Sequence, residues 1–202
     1  MLSFERWSMV PAREWLIVGK GPTAERVREI PQGVYNVLTL NDAIKLVPHA
    51  TIAHLIDIEV FDRCQVDIAA RAEFLLVPRK LHQECKKKVA FEAFLTLFPA
   101  ARLLNDQGRV VVYDKWPHSI TKPGRPHKAV ACRYFSSEAA LSILGELGVR
   151  KVKTIGVDGG SQYAPQFSYL TPLQNGRVSF DAQAGELCAI AQHYGMGVSK
   201  WT

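Results

Sequence analysis

The chain reads as an α/β protein, a parallel sheet covered by helices on both faces, and three observations carry that expectation. Short apolar or β-branched runs recur along its length, and turns bearing glycine, asparagine or aspartate end them. Helical patterns follow most of those turns. The runs are continuous rather than alternating, which is how strands read when both faces are buried. The 202 residues, 48% hydrophobic and 22% charged, are enough for one domain over 1–202.

The first strand covers 15–18 and closes at Gly19-Lys20-Gly21-Pro22. Pro22 suits an early helical position, and the Ala-Glu-Arg stretch after it favours a helix over 23–30. A second strand over 34–40 ends at Asn41-Asp42, a cap for a helix over 43–47. A third strand over 51–56 stops at Asp57, and a fourth covers 73–77. The longest helical stretch is 81–98, with Lys86, Lys87 and Lys88 on its solvated face. The turn at 105–108 then introduces a strand over 109–113. Ser136-Ser137-Glu138 opens a helix through 147, stopped by Gly148. A strand over 152–156 leads into Val157-Asp158-Gly159-Gly160. A helix over 181–194, with Asp181 at its N-cap, and an edge strand over 197–201 complete the chain.

Residues 114–128 break the rhythm, with three prolines, two histidines, four basic residues and no periodicity. A structureless stretch of that length within a compact domain reads as a lid or binding loop.

Composition narrows the function classes. No apolar run reaches the ~20 residues that span a bilayer, and the N-terminal stretch lacks the apolar block of a signal peptide. A cytoplasmic location is expected, peripheral association with an inner membrane included. The four cysteines, Cys64, Cys85, Cys132 and Cys188, show no CxxC or zinc spacing and read as reduced, mostly buried thiols. A net charge of +6 favours an anionic partner. With no helix-turn-helix and no aromatic-basic platform, nucleic acid is not the partner expected.

In an open α/β sheet, ligands bind beyond the carboxyl ends of the strands. The residues following the strands are Gly19, Lys20, Gly21, Pro22 and Thr23, then Asn41 and Asp42, then Asp57 and Glu59, then Gly156, Asp158, Gly159, Gly160, Ser161 and Tyr163. Ser136 and Ser137 reach the same edge. Two glycines after the first strand allow close backbone approach, and amides at the following helix start favour a phosphate.

The runs LIVGKGPTAERV, YNVLTLND and AHLIDIEV, followed later by SSEAALSILGELGVRKVKTIGVDGGSQYAPQF, resemble bacterial family 42 sialyltransferases. They also resemble the related Rossmann-like domains of motility-accessory-factor glycosyltransferases and archaeal hydroxymethylpterin pyrophosphokinases. The resemblance covers most of 15–167 and implies a Rossmann-like, GT-A-like fold that binds a CMP-sugar without a metal or other cofactor. It implies a phosphate-side turn at Gly19, Gly21, Pro22 and Thr23, with Thr replacing the family's Ser. Asn41 would contact the nucleotide, and Ser136 or Ser137, Gly156 and Asp158 would line the cytidine pocket. Asp57 stands where the family uses a second Asn. Tyr163 matches one of two tyrosines that stabilise the leaving phosphate, while the other falls at Gly160. The family's general-base His, ahead of the last helix, has no counterpart in 177–181, which leaves His118, His127 and Asp181 as substitutes. His193 reads as structural.

The function expected is transfer of an acidic sugar from a CMP-activated donor to a glycan or glycoprotein, in surface-polysaccharide or glycoprotein assembly. One alternative is a Mg²⁺-dependent nucleotide phosphotransferase of the pterin pyrophosphokinase type, with Asp57 and Asp158 on the metal. The other is a nucleotide-sugar-binding module without catalysis. The oligomeric state stays open.

Overall fold

The computed structural model describes residues 13–84, 87–171 and 177–202. Its centre is a seven-stranded sheet, every neighbouring pair parallel, formed by β1 (Glu14–Val18), β2 (Tyr35–Leu40), β3 (Ala50–His54), β4 (Ala72–Pro78), β7 (Val110–Tyr113), β10 (Lys151–Ile155) and β11 (Gly197–Lys200). The order β11-β10-β1-β2-β3-β4-β7 shows a chain that steps outward from β1 to β7 and then returns to the other side of β1. The direction of winding therefore reverses between β1 and β10, the crevice where Rossmann-like sheets bind ligands.

Side chains of successive strand residues point to opposite faces, so one apolar run feeds two cores. From β1, Leu16 and Val18 pack with α1 (Ile58–Arg71), α2 (Phe91–Leu97) and α3 (Pro99–Asp106) through Phe61, Cys64, Phe94 and Leu104. Trp15 and Ile17 face α4 (Ser136–Glu146) and α5 (Ala182–Tyr194) through Ala140, Ile143, Leu144 and Ile190. Short 3₁₀ helices, Pro22–Glu29 and Asn41–Leu46, replace the helices expected after β1 and β2. Among the described residues no helix is long and apolar enough to cross a membrane.

Two readings of the sequence need correction. Residues 81–98 do not form one helix. Lys80–Gln83 (β5) and Lys87–Ala90 (β6) make an antiparallel hairpin in which Leu81 pairs with Val89. Those two turn toward the core while Lys87 and Lys88 stay exposed; Lys86 lies outside the described residues. Helical periodicity begins only at Phe91, and Pro99 divides it because the residue before a proline is held extended, as Phe98 is at φ −123°, ψ 97°. The second correction is an element the strand pattern hid. Ile58, Phe61, Cys64 and Ile68 form the buried stripe of α1, directly after Asp57.

The loop 114–128 has little regular structure beyond β8 (Lys115–Trp116), which pairs with β9 (Val130–Ala131). Ile120 enters the core, and Arg125 holds the Ala129 carbonyl, Glu146 and the Tyr194 hydroxyl. Glu146 and Tyr194 end α4 and α5 at the sheet's opposite edge. The loop is thus strapped along the helix layer and does not arch over the carboxyl ends of β1 and β10.

Candidate functional site

The switch point is built from two glycine turns that press against each other. The Gly19 and Gly21 amides donate to the carbonyls of Ile155 and Gly156, both at 2.8 Å. A Cβ on Gly19 would lie 2.2 Å from the Gly156 oxygen, and one on Gly156 2.5 Å from the Gly19 oxygen. Gly156 also has φ +68°, which an L side chain rarely adopts. Gly156→Ala is expected to cost about 2–3 kcal/mol from that strain and overlap together. Urea unfolding checks this, and an unchanged midpoint would mean that the two turns separate freely.

Thr23 lashes the turns together. Its hydroxyl donates to the Asp158 carboxylate at 2.8 Å, its amide donates to the same group at 2.9 Å, and its oxygen accepts the Gly156 amide at 2.8 Å. Pro22 has no N–H, and the Ala24 amide donates to Gly21. The expected amide cradle for a phosphate is therefore already filled by protein, and Pro22 and Thr23 do not line the cavity beyond the turns.

That cavity, about 520 Å³, is lined by Gly19, Gly21, Asn41, Asp57, Ser136, Ser137, Gly156, Asp158 and Tyr163 among the residues expected from sequence. Each contributes differently. Asn41 is not a helix cap but sits left-handed, at φ 55°. Its Nδ2 donates to Ser136 Oγ at 3.5 Å, and its buried Oδ1 has no partner. Ser137 donates to Gln183 Oε1 at 2.8 Å, and Gln183 Nε2 donates to the Asp158 carbonyl at 2.7 Å, so the start of α4 is tied to the end of β10. Asp57 occupies the N-cap position of α1 without a side-chain cap bond.

Besides Pro22 and Thr23, three of the expected residues stand elsewhere. His118 packs on Trp116 with ring centres 4.7 Å apart, His127 is exposed, and neither lines the cavity. Asp181 is exposed at the N-cap of α5 and makes no cap bond with that helix. Its carboxylate takes the Gly160 amide at 2.8 Å, and that bond lowers its pKa. His193 lies edge-on to Tyr194, a structural contact. Cys64 and Cys132 are buried free thiols that burial pushes up to about 12. Cys188 is exposed, and Cys85 lies outside the described residues.

Lys20 and Arg63 also line the cavity, joined beneath it by Asp42. Lys20, between the two glycines, is mostly buried, with Nζ 3.6 Å from Asp42 Oδ2 and 4.5 Å from the centre of the Tyr163 ring. Burial lowers its pKa and outweighs the raising effect of Asp42. Asp42, fully buried, also receives both prongs of Arg63 at 3.1 Å. Burial alone would raise the Asp42 pKa, but Arg63 and Lys20 bring it below the usual carboxylate value. An aromatic wall lines the same cavity, and Lys20 touches it at Tyr163. Glu138 takes the amides of Arg133, Tyr134 and Phe135 at 2.6–3.1 Å and so bends Tyr134 and Phe135 to the rim. Phe180 bridges Phe135 and Tyr163 at 5.4 and 5.5 Å. Lys20 was visible within its turn; Arg63 was hidden because the helix carrying it went unread.

Among the described residues no group of three or more His, Cys, Asp or Glu side chains forms a metal site. Compared with known proteins, the chain matches no family model, no curated protein and no solved structure.

Proposed function

We propose that this protein is a glycosyltransferase that takes an acidic sugar from a CMP-activated donor and passes it to a hydroxyl of a glycan or glycoprotein. One observation carries the reading: at the switch point, a cationic floor of Lys20 and Arg63 and an aromatic wall line one cavity of nucleotide size. The wall gives a base or sugar ring an apolar face to stack on. Lys20 is the phosphate's partner, because an arriving anion compensates the hydration its ammonium lost on burial. Asn41 Oδ1 waits for a donor, and a nucleoside amino or hydroxyl group supplies one. Burial pushes Tyr163 up to about 12, so its hydroxyl keeps its proton at neutral pH and can donate to the departing phosphate.

Thermal unfolding with CMP, CTP, UDP, GDP and ATP, each with and without Mg²⁺, tests this. CMP at 100 times its dissociation constant is expected to add about 2.7 kcal/mol without metal. Asn41→Ala should weaken CMP binding by about tenfold, as loss of a buried hydrogen bond does; an unchanged affinity would move the nucleotide out of this pocket. Stabilisation only by a triphosphate with Mg²⁺ would favour phosphoryl transfer and would require Asp158 to release Thr23. CMP binding without turnover on any donor would favour a binding module.

A further inference from the structure

Glycosyl transfer needs a proton acceptor at the cavity, and loop 114–128 brings neither of its histidines there. We propose that Asp57 is the general base, with His82 and Lys115 as its positioning residues. The assignment rests on the glycosyl-transfer reading above.

Four carboxylates line the cavity. Asp158 is engaged by Thr23, and Glu59 accepts the Glu84 amide at 2.8 Å. Glu84 is exposed at the hairpin turn, with φ 50°. Asp57, by contrast, lines the cavity from the N-cap position of α1 with a carboxylate that makes no cap bond. It also lies near enough to Lys20 and Tyr163 for its charge to act on both.

Backbone geometry sets the imidazole beside it. The His82 amide donates to the Ile56 carbonyl at 2.8 Å, and Asp57 and His82 form a parallel bridge. His82 Nδ1 then lies 3.6 Å from Asp57 Oδ1, and its Nε2 lies 3.0 Å from Lys115 Nζ. An ammonium has only protons to offer. Lys115 therefore requires a lone pair on Nε2, which puts the ring proton on Nδ1, facing Asp57. The irregular loop thus serves the site through a lysine, acting by way of a histidine from another segment.

In the step, the acceptor hydroxyl oxygen bonds to the anomeric carbon as the bond from that carbon to the phosphate oxygen breaks. The bonding pair leaves with CMP, and the hydroxyl proton passes to Asp57 and on to water.

The test uses the full chain with CMP-N-acetylneuraminate or the corresponding CMP-octulosonate as donor and lactose as acceptor, beside CMP stabilisation and ¹⁵N spectra of His82. Asp57→Asn is expected to lower kcat about a hundredfold or more while KM for the donor and CMP stabilisation hold. His82→Ala should lower kcat by about tenfold, less than loss of the base itself, and His82→Asn, which keeps a donor toward Asp57, should restore most of it. Lys115→Met should release the Nδ1–H tautomer of His82. Wild-type kcat in Asp57→Asn with CMP still bound overturns the base and leaves the nucleotide reading standing. An Nε2–H tautomer in the wild type overturns the positioning, whatever the donor. Absence of CMP stabilisation, or CMP stabilisation without transfer from either donor, removes the glycosyl-transfer reading and the base with it.

Discussion

Acidification from pH 7 to pH 3 is expected to remove about 4 kcal/mol of stability through His54 alone. His54 ends β3, fully enclosed, with Nε2 2.8 Å from the Tyr113 hydroxyl and no partner for Nδ1. Burial, aided by the nearby charge of Lys115, brings its pKa from 6.5 down to about 3. The folded state therefore refuses a proton that the unfolded chain accepts below pH 6.5. The contribution is complete above that value and is lost progressively as pH falls toward 3. Asp42, whose folded pKa is also depressed, adds to the loss below its unfolded value of 3.8. Glu138 acts in the other direction, because burial raises its pKa against three backbone donors. Urea unfolding of wild type and His54→Phe across pH 7 to 4 separates these contributions. The variant starts less stable, since Tyr113 loses its partner, yet should lose less on acidification. Parallel curves for the two proteins would rule out His54 as the source.

Removing Asp42 should be the most damaging single change in the site. Its carboxylate, wholly enclosed, receives both prongs of Arg63 and lies beside Lys20. Asp42→Ala leaves a largely buried ammonium and a guanidinium without their counter-charge, an expected cost of about 3–5 kcal/mol. The same change lets the cationic floor shift, so CMP stabilisation should vanish with it. Asp42→Leu combined with Lys20→Met replaces the two most deeply buried charges with apolar volume and leaves Arg63, whose side chain is 37% exposed, to turn to water. That pair should recover much of the stability, because a buried ion pair can be exchanged for packing at little net cost, while nucleotide binding stays lost. Recovery of both properties together would mean that the floor stabilises the fold without taking part in binding.

The residues differ in how openly the sequence declares them. Gly19, Gly21 and Gly156 were legible, because a strand end followed by glycine is a local signal of close backbone approach. Their purpose was not. The space they free is filled by the opposing turn, and Thr23 joins the two rather than holding a phosphate. Asn41 was legible by position, but its left-handed backbone and unpartnered oxygen were not. Lys20, Asp42 and Arg63 come from three segments, and nothing in any one of them records that they meet. Residues 81–98 misled because the aromatic spacing of 91–98 is helical, and the preceding alternation around Leu81 and Val89 is too short to stand apart from it.

By itself, then, the sequence determined the parallel α/β sheet, most of its strands and the edge at which the candidate site residues gather. Those depend on the period of apolar residues and on turn chemistry, both written within a few neighbouring positions. The tertiary structure alone decided which of the gathered groups are spent on one another and which face the cavity. It fastened the proline-rich loop to the ends of α4 and α5, consumed the turn amides and Asp158 within the scaffold, and set His82 between Asp57 and Lys115. The physical reason is that a polar group's chemistry depends on its partners and its burial, and both are supplied by residues distant in the chain.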